Sequence, residues 1–256
     1  MSTRGQMTIA VLVKQVPDMN AIRIDRTSGR IVPSGQLVMS SYDEYAVEAA
    51  LRLKEAFGGE VIVATAGPAS AKDVVTRALA MGADRGIHLQ ASGLDGADTL
   101  GVARLLADAI APLQCDLVLA GQASDDLEAG QVGAQLAALL DLPVISNVVS
   151  LTVDGDALTA NRDMEDGHQT VTSRLPAVVL ASTGLDEPRL PSLKGIMAAK
   201  KKPIETSEIE AAASDRLRWE DPIVPSRAAT GTIVQDLPPA DAARQLVAWL
   251  QEQKVI

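Results

Sequence analysis

Residues 116–147 read Asp-Leu-Val-Leu-Ala-Gly-Gln-Ala-Ser-Asp-Asp-Leu-Glu-Ala-Gly-Gln-Val-Gly-Ala-Gln-Leu-Ala-Ala-Leu-Leu-Asp-Leu-Pro-Val-Ile-Ser-Asn. The apolar run Leu117 to Ala120 has strand character, Gly121 interrupts it, an acidic polar loop follows, and Ala129, Gly130, Gly133 and Ala134 open a helical pattern that ends near Leu140. This is a strand, a loop and a helix N-terminus in succession. In an open parallel sheet such a junction is a ligand crevice, because free backbone N–H groups and the positive end of the helix dipole face the strand's C-terminal edge. Small residues there let a phosphate approach the backbone. Gly121 and Gly130-Gln131-Val132-Gly133 do not spell the dinucleotide-binding fingerprint. Ordinary glycines of a tightly packed α/β domain are therefore an equal reading of the same residues.

On the N-terminal side the same rhythm repeats. Thr8 to Val13 reads as a buried first strand, and Lys14-Gln15-Val16-Pro17-Asp18 leaves the sheet, since Pro17 brings no N–H to a ladder. Residues 22–39 hold short alternating segments around Ser28-Gly29, a hairpin pattern. Ser40, Ser41 or Asp43 can cap a helix whose Ala46, Ala50, Leu53 and Phe57 recur at helical spacing before Gly58-Gly59. Strand 60–66, helix 70–81, strand 86–90 and helix 98–110 follow. Alternating strands and helices with short breaks predict an α/β fold with a doubly wound, mostly parallel sheet and right-handed crossovers.

Beyond Val144 the rhythm changes. Residues 148–153, 158–161, 169–173 and 177–181 are strand-like with no helix between them, which predicts antiparallel hairpin additions. After Gly184 periodicity is lost: Leu190-Pro191-Ser192-Leu193-Lys194-Gly195-Ile196-Met197 is an apolar segment broken by Pro and Gly, with Lys200-Lys201-Lys202 beyond it. It reads either as a protein-docking loop or as a loop packed on its own domain beside solvated lysines. Residues 205–240, punctuated by Pro222, Pro225, Pro238 and Pro239, read as an extended arm, and 240–253 as a C-terminal helix with Ala243, Leu246, Trp249 and Leu250 on one face. The expected division is a nucleotide-binding α/β domain over 1–204, including the 184–202 loop, followed by the arm and helix over 205–256.

Composition bounds the function. The chain has 256 residues, 47% apolar and only 2% aromatic, so its core is built from Val, Leu, Ile and Ala, the usual filling of a sheet covered on both faces. A net charge of −10 argues against a nucleic-acid partner and leaves basic partners open. The single Cys115 excludes an intrachain disulfide and a CxxC site, which fits a reducing compartment. With no apolar h-region at the N-terminus and no apolar run of membrane-spanning length, the sequence reads as a soluble protein without a cleaved signal or stable membrane insertion. His88 lies in an apolar strand as a core histidine, His168 beside a turn as a solvated one, and the two with Cys115 offer no metal-ligand spacing. Asp125-Asp126 has three open readings: a general base, a partner for a ribose hydroxyl or metal, or a cap for the following helix. No GxSxG, HExxH or Walker lysine motif points to a self-contained hydrolase or kinase.

Six segments in order along the chain resemble one family. They are Val11-Leu12-Val13-Lys14-Gln15-Val16-Pro17-Asp18, the run from Tyr45 to Glu55, Ala78-Leu79-Ala80-Met81-Gly82-Ala83-Asp84-Arg85, the Gly121 to Gly133 loop, Leu175-Pro176-Ala177-Val178-Val179, and the run from Ile196 to Pro203. Together they resemble the β subunit of electron-transfer flavoproteins. The resemblance implies an electron carrier rather than a self-contained enzyme. It implies a heterodimer with an α subunit that holds the redox FAD, and AMP or a related adenine nucleotide bound in β. Electrons would pass from flavin dehydrogenases, such as acyl-CoA dehydrogenases, toward a quinone oxidoreductase and the quinone pool. The setting it implies is the bacterial cytoplasm, or the mitochondrial matrix in a eukaryote.

Carried onto this chain, the cofactor-binding residues are Leu12, Ser40, Ser41, Tyr42, Asp43, Ala66, Gly121, Gln122, Ala123, Ser124, Asp125, Asp126, Leu127, Glu128, Ala129, Gly130, Gln131 and Val132, and the partner-anchoring residue is Leu193. Met19 stands where many members place a tyrosine beside the flavin. Gly130-Gln131-Val132 replaces the Asn-Gln-Thr frequent in AMP-binding members, and with Gly96-Ala97-Asp98-Thr99-Leu100 it resembles the electron-bifurcating branch, which holds a second FAD in β and meets NADH. Asp166-Gly167-His168-Gln169-Thr170 and Lys200 to Lys202 resemble the dehydrogenase-serving members instead. A third reading, an adenine-nucleotide-sensing stress-type module, shares the sheet and glycine loop but does not use the 184–202 loop or the terminal helix.

Overall fold

The computed structural model describes residues 6–25, 31–32, 35–94, 97–210, 217, 220 and 233–256. The Ser28-Gly29 turn, Gly96 and most of the arm between 211 and 232 lie outside the described residues. The chain divides into two units, Met1–Pro222 and Ile223–Ile256.

In the first unit the elements are β1 (Met7–Leu12), β2 (Gln15–Pro17), β3 (Arg23–Ile24), β4 (Ile31–Val32), β5 (Leu37–Met39), α1 (Ser41–Phe57), β6 (Gly59–Gly67), α2 (Lys72–Met81), β7 (Arg85–Ser92), α3 (Thr99–Ile110), β8 (Leu117–Gly121), α4 (Val132–Leu139), β9 (Val144–Asp154), β10 (Ala157–Met164), β11 (Gly167–Arg174), β12 (Ala177–Ala181), α5 (Leu193–Ala199) and β13 (Ile204–Glu210). The main sheet has nine strands in the order β11-β10-β9-β12-β8-β1-β6-β7-β13. Every pairing from β9 across to β13 is parallel, and β10 pairs antiparallel with both β9 and β11. Pro17 lies outside this sheet, in a two-stranded antiparallel pair with β5, where its missing N–H breaks no central ladder.

Alternation along the strands divides the core into two layers. Ile9, Val11, Val61, Val63, Leu117 and Leu119 face one side and pack with Ala46, Ala50 and Leu51 of α1 and with Val75, Ala78 and Leu79 of α2. Ala10, Leu12, Ile62, Ala64, Val118 and Ala120 face the other side, with Ala103, Leu106 and Ile110 of α3 and with Leu136 and Ala137 of α4. Helices on both faces explain why the central strands are apolar throughout.

The sequence pattern groups 177–181 with the antiparallel hairpins, whereas β12 runs parallel between β8 and β9. Its Ala-Val-Val-Leu-Ala is buried at every position, as a strand covered on both faces requires. The expected arm beginning at 205 also changes, because β13 pairs along its whole length with β7 and is the outermost strand of the sheet. Residues 184–202 are not wholly irregular. Ser192 accepts the Gly195 N–H at 3.0 Å and starts α5, which at seven residues is too short to display a period. Lys202 is not part of a solvated run, since its Nζ donates to the carbonyls of Leu79 (3.0 Å) and Ala83 (2.5 Å) at the end of α2.

The second unit contains α6 (Pro239–Glu252), with Pro238 at its N-cap and an Asp241–Arg244 ion pair in its first turns. Leu246, Val247 and Trp249 remain exposed on it. No helix among the described residues is long and apolar enough to cross a membrane.

Candidate functional site

Strand order creates the site. The chain enters the sheet at β1, adds β6 and β7 on one side, and then places β8 on the other side of β1. Crossovers leaving β1 and β8 diverge at the strands' C-terminal ends, and at this switch point the structure opens a cavity of about 460 Å³. Its walls come from the ends of β1 (Leu12 to Gln15), β6 (Ala66 to Pro68) and β8 (Ala120 to Ser124), from the start of α3 (Ala97 to Thr99) and from residues 129–133 at the start of α4.

Asp43, on the first turn of α1 and almost fully buried, ties β1 to β8 there. One carboxylate oxygen accepts the Lys14 N–H at 2.7 Å and the other accepts the Gly121 N–H at 3.0 Å. Burial pushes its carboxyl up to about 7, against the opposing pull of the two N–H groups, with Asp125 adding to the rise and the Lys14 ammonium opposing it. The contact demands glycine at 121, because a Cβ there would lie 2.5 Å from Asp43 Oδ1 and 2.7 Å from Tyr42 Cβ.

The two neighbouring aspartates have separate partners. Asp125 accepts the Ser41 N–H and the Ser41 hydroxyl, both at 2.7 Å, and its own N–H meets Ser40 Oγ at 3.3 Å. It therefore caps α1 across space, whereas the helix that follows it, α4, has Gln131 at its N-cap and no side-chain cap. Asp126 receives the Lys14 Nζ at 2.8 Å on both oxygens, and Ser124 Oγ lies 3.3 Å from the same ammonium. Among the described residues lining the cavity, Lys14 is the one cation, beside Asp43, Asp98 and Asp126.

The loop between β8 and α4 is held by its own polar groups. Gln122 donates its N–H to Ala181 O at 2.8 Å and accepts the Asn147 N–H on its side chain at 2.7 Å. Gly130 adopts φ +61°, a left-handed conformation that suits glycine, just before α4 begins. Thr99 donates to Gln131 Oε1 at 2.8 Å and links the starts of α3 and α4. Gly133 has a packing role: a Cβ on it would lie 2.3 Å from Leu180 Cδ2, so its small size seats α4 on β12. The uncapped first turn of α4 thus lies in the cavity wall with its N–H groups and dipole available to an anion.

Of the residues singled out in the sequence, Leu12, Asp43, Ala66, Gly121, Gln122, Ala123, Ser124, Asp126, Leu127, Ala129, Gly130, Gln131 and Val132 line this cavity. Ser41, Asp125 and Glu128 instead line a second cavity of about 760 Å³, which they share with Met19, Glu44 and Arg77. Ser40 and Tyr42 line neither cavity; Ser40 Oγ meets the Asp125 N–H at the start of α1, and burial, then Glu128 and Asp125, raise the Tyr42 hydroxyl above its ordinary range. Sequence reasoning missed Lys14, Asp98, Thr99 and Val102 as lining residues. A readable signal existed for two of them. Lys14 lies two residues beyond the first parallel strand, at the same edge as Gly121, and Asp98 caps α3 by accepting the Gly101 N–H at 2.7 Å.

Leu193 lies apart from the cavity, at the start of α5, and is 84% exposed. His88 is buried, with Nε2 3.1 Å from Pro68 O and no partner at Nδ1 among the described residues. His168 is exposed on the hairpin beside Asp163, at 2.7 Å. No group of three or more His, Cys, Asp or Glu among the described residues is arranged to hold a metal ion.

Residues 29–212 match the electron transfer flavoprotein domain family. Three curated relatives are named electron transfer flavoprotein subunit beta. That of Bacillus subtilis (strain 168) is 36% identical over 98% of this chain and 100% of its own length. That of Syntrophomonas wolfei is 38% identical over 96% of each chain, and that of Mycobacterium leprae is 35% identical over 97% of this chain and 99% of its own. The chain belongs to the electron transfer flavoprotein family, in the subunit beta group of its relatives.

Proposed function

We propose that this chain is the β subunit of a heterodimeric electron carrier, paired with an α subunit that holds the redox FAD, and that it binds AMP or a related adenine nucleotide in the switch-point cavity. The carrier takes electrons from flavin dehydrogenases, such as acyl-CoA dehydrogenases, and delivers them toward the quinone pool. The flavin supplies the redox chemistry, while the protein supplies position and electrostatics.

The observation that carries the nucleotide reading is the composition of the cavity. Leu12, Ala66, Val102, Leu106 and Ala120 offer apolar walls for a base, and the uncapped α4 turn and Lys14 offer donors for a phosphate. A volume of about 460 Å³ lies in the lower part of the range for small-molecule sites, roughly 300–1,000 Å³, which favours a mononucleotide over a second FAD. Met19, 46% exposed in the second cavity, marks where we place the approach of the α-subunit flavin. The apolar face of α6 supports a role for the second unit in gripping α, and Leu193 supports dehydrogenase docking on α5.

The test is to co-purify the chain with its α subunit, denature the complex and identify the released nucleotides. A single flavin together with AMP is the expected result. Two flavins per heterodimer would establish the bifurcating alternative, and adenylate without flavin would favour the sensing module. Truncation after Pro222 in the same complex should reduce α binding, and undiminished co-purification would remove the second unit from the interface.

A further inference from the structure

Leu190, in the segment between β12 and α5, and Leu193, the first residue of α5, are each 84% exposed, with Met197 at 63% further along that short helix. A leucine on an irregular segment, or on a single short helix that follows one, would ordinarily be mobile, and docking would have to order it. Here the segment is bound down by charge. Arg189 directs Nε to Glu48 Oε2 at 2.8 Å and Nη2 to Glu48 Oε1 at 2.9 Å, while its own backbone N–H reaches Glu48 Oε2 at 3.2 Å. The same guanidinium holds Glu55 two turns further along α1, at 2.5 Å through Nη1. Arg52 Nε bridges Glu48 at 3.0 Å and Asp186 at 3.1 Å, so both ends of the segment before the leucines are fastened to α1.

Glu48 is among the few charged groups buried in the core region, at 1% exposure. Burial alone would raise its carboxyl, and the bonds from Arg189 and Arg52 together outweigh burial and hold it below the usual range. A buried ion cluster is a poor source of net stability compared with apolar packing, whereas its fixed fork geometry orients a chain segment well. On the far side of the leucines α5 is anchored independently, where Gly195 lies so close to Ala80 O that a Cβ would come within 2.3 Å, and where Ala199 is buried.

We infer that Glu48 and Arg189 are positioning residues for electron donation: they hold Leu190 and Leu193 in one pose, so that an electron-donating dehydrogenase with an apolar pocket engages them without first ordering the segment. This rests on the docking role proposed above for Leu193. Neither residue lines either cavity, and the pair acts through the two leucines.

The experiment measures reduction of the complete heterodimer by a flavin dehydrogenase, separating KM for the heterodimer from kcat, with dithionite reduction as a reaction that needs no docking. Leu193→Ala serves as the reference and should raise KM. Arg189→Lys keeps the charge but loses the fork, and should raise KM about tenfold with kcat, dithionite rate, flavin content and Tm unchanged. Wild-type KM in Arg189→Lys alongside a raised KM in Leu193→Ala would overturn the positioning role and leave docking at Leu193 intact. Wild-type KM in Leu193→Ala would overturn the docking reading and the inference with it. If Arg189→Lys loses flavin or thermal stability, Glu55→Gln decides, since it loosens only the outer half of the clamp. A raised KM there supports the inference, and an unchanged KM overturns it.

Discussion

Asp125 and Ser41, 84 residues apart, form the cap of α1: the carboxylate accepts both the N–H and the hydroxyl of Ser41 at 2.7 Å. The ligand loop is thereby tied to the helix that carries Asp43. Asp125→Ala should cost about 0.5–2 kcal/mol in urea denaturation, the usual range for a lost N-cap. Hydrogen exchange should quicken at the start of α1, not at the start of α4. Faster exchange confined to α4 would contradict the assignment.

Asp43 gives stability a specific dependence on pH. Its folded pKa, about 7, stands above the ordinary 3.8, so the folded state holds the proton more tightly than the unfolded chain. The contribution is therefore fully present below about 4, declines as pH rises to about 7 and is constant above. Asp43→Asn should abolish this slope. It should also cost about 1–3 kcal/mol at neutral pH, because the amide cannot accept both the Lys14 and Gly121 N–H groups. Equal slopes in the two proteins between pH 4 and 7 would disprove the assignment.

Gly133 should fail through packing. Gly133→Ala sets a methyl 2.3 Å from Leu180 Cδ2, a side chain that is itself buried, and should lower stability by about 1–3 kcal/mol. Adding Leu180→Ala should recover part of that loss, a coupling that a double-mutant cycle measures. Loss of adenylate from Gly133→Ala at unchanged Tm would return the residue to phosphate contact.

Lys14 is the cation that meets a bound phosphate under the proposed function, exchanging Asp126 for the ligand. Lys14→Met should weaken adenylate binding by roughly tenfold or more, in line with loss of a charge-assisted hydrogen bond of about 1.5–3 kcal/mol. Lys14→Arg should retain most of the affinity, and Asp126→Asn, which frees the ammonium, should strengthen it. Isothermal titration of AMP into nucleotide-stripped complex reads all three. Unchanged affinity in Lys14→Met would exclude the role.

Local pattern carried much of this molecule. Apolar runs such as Leu117 to Ala120 and the helical spacing of Ala46, Ala50 and Leu53 specify their elements because strand and helix periodicity are properties of neighbouring residues. The alternation of those elements determined the parallel sheet, and the quoted motifs determined the family. The switch-point crevice was legible for the same reason, since Gly121 and the small residues after it form one continuous stretch.

Tertiary structure decided which side chains meet. Glu48 and Arg189 are 141 residues apart, Lys14 and Asp126 are 112 apart, and no short window contains both members of either pair. Parallel strands bring distant segments together through crossovers, so the partner of Asp125 depends on which strand lies beside β8, a matter of sheet order and register. The same holds for Gly133, whose need to be small is set by Leu180 on a strand that sequence pattern alone groups with the hairpins. Periodicity specifies which face of an element is buried, and only the assembled sheet specifies what that face is buried against.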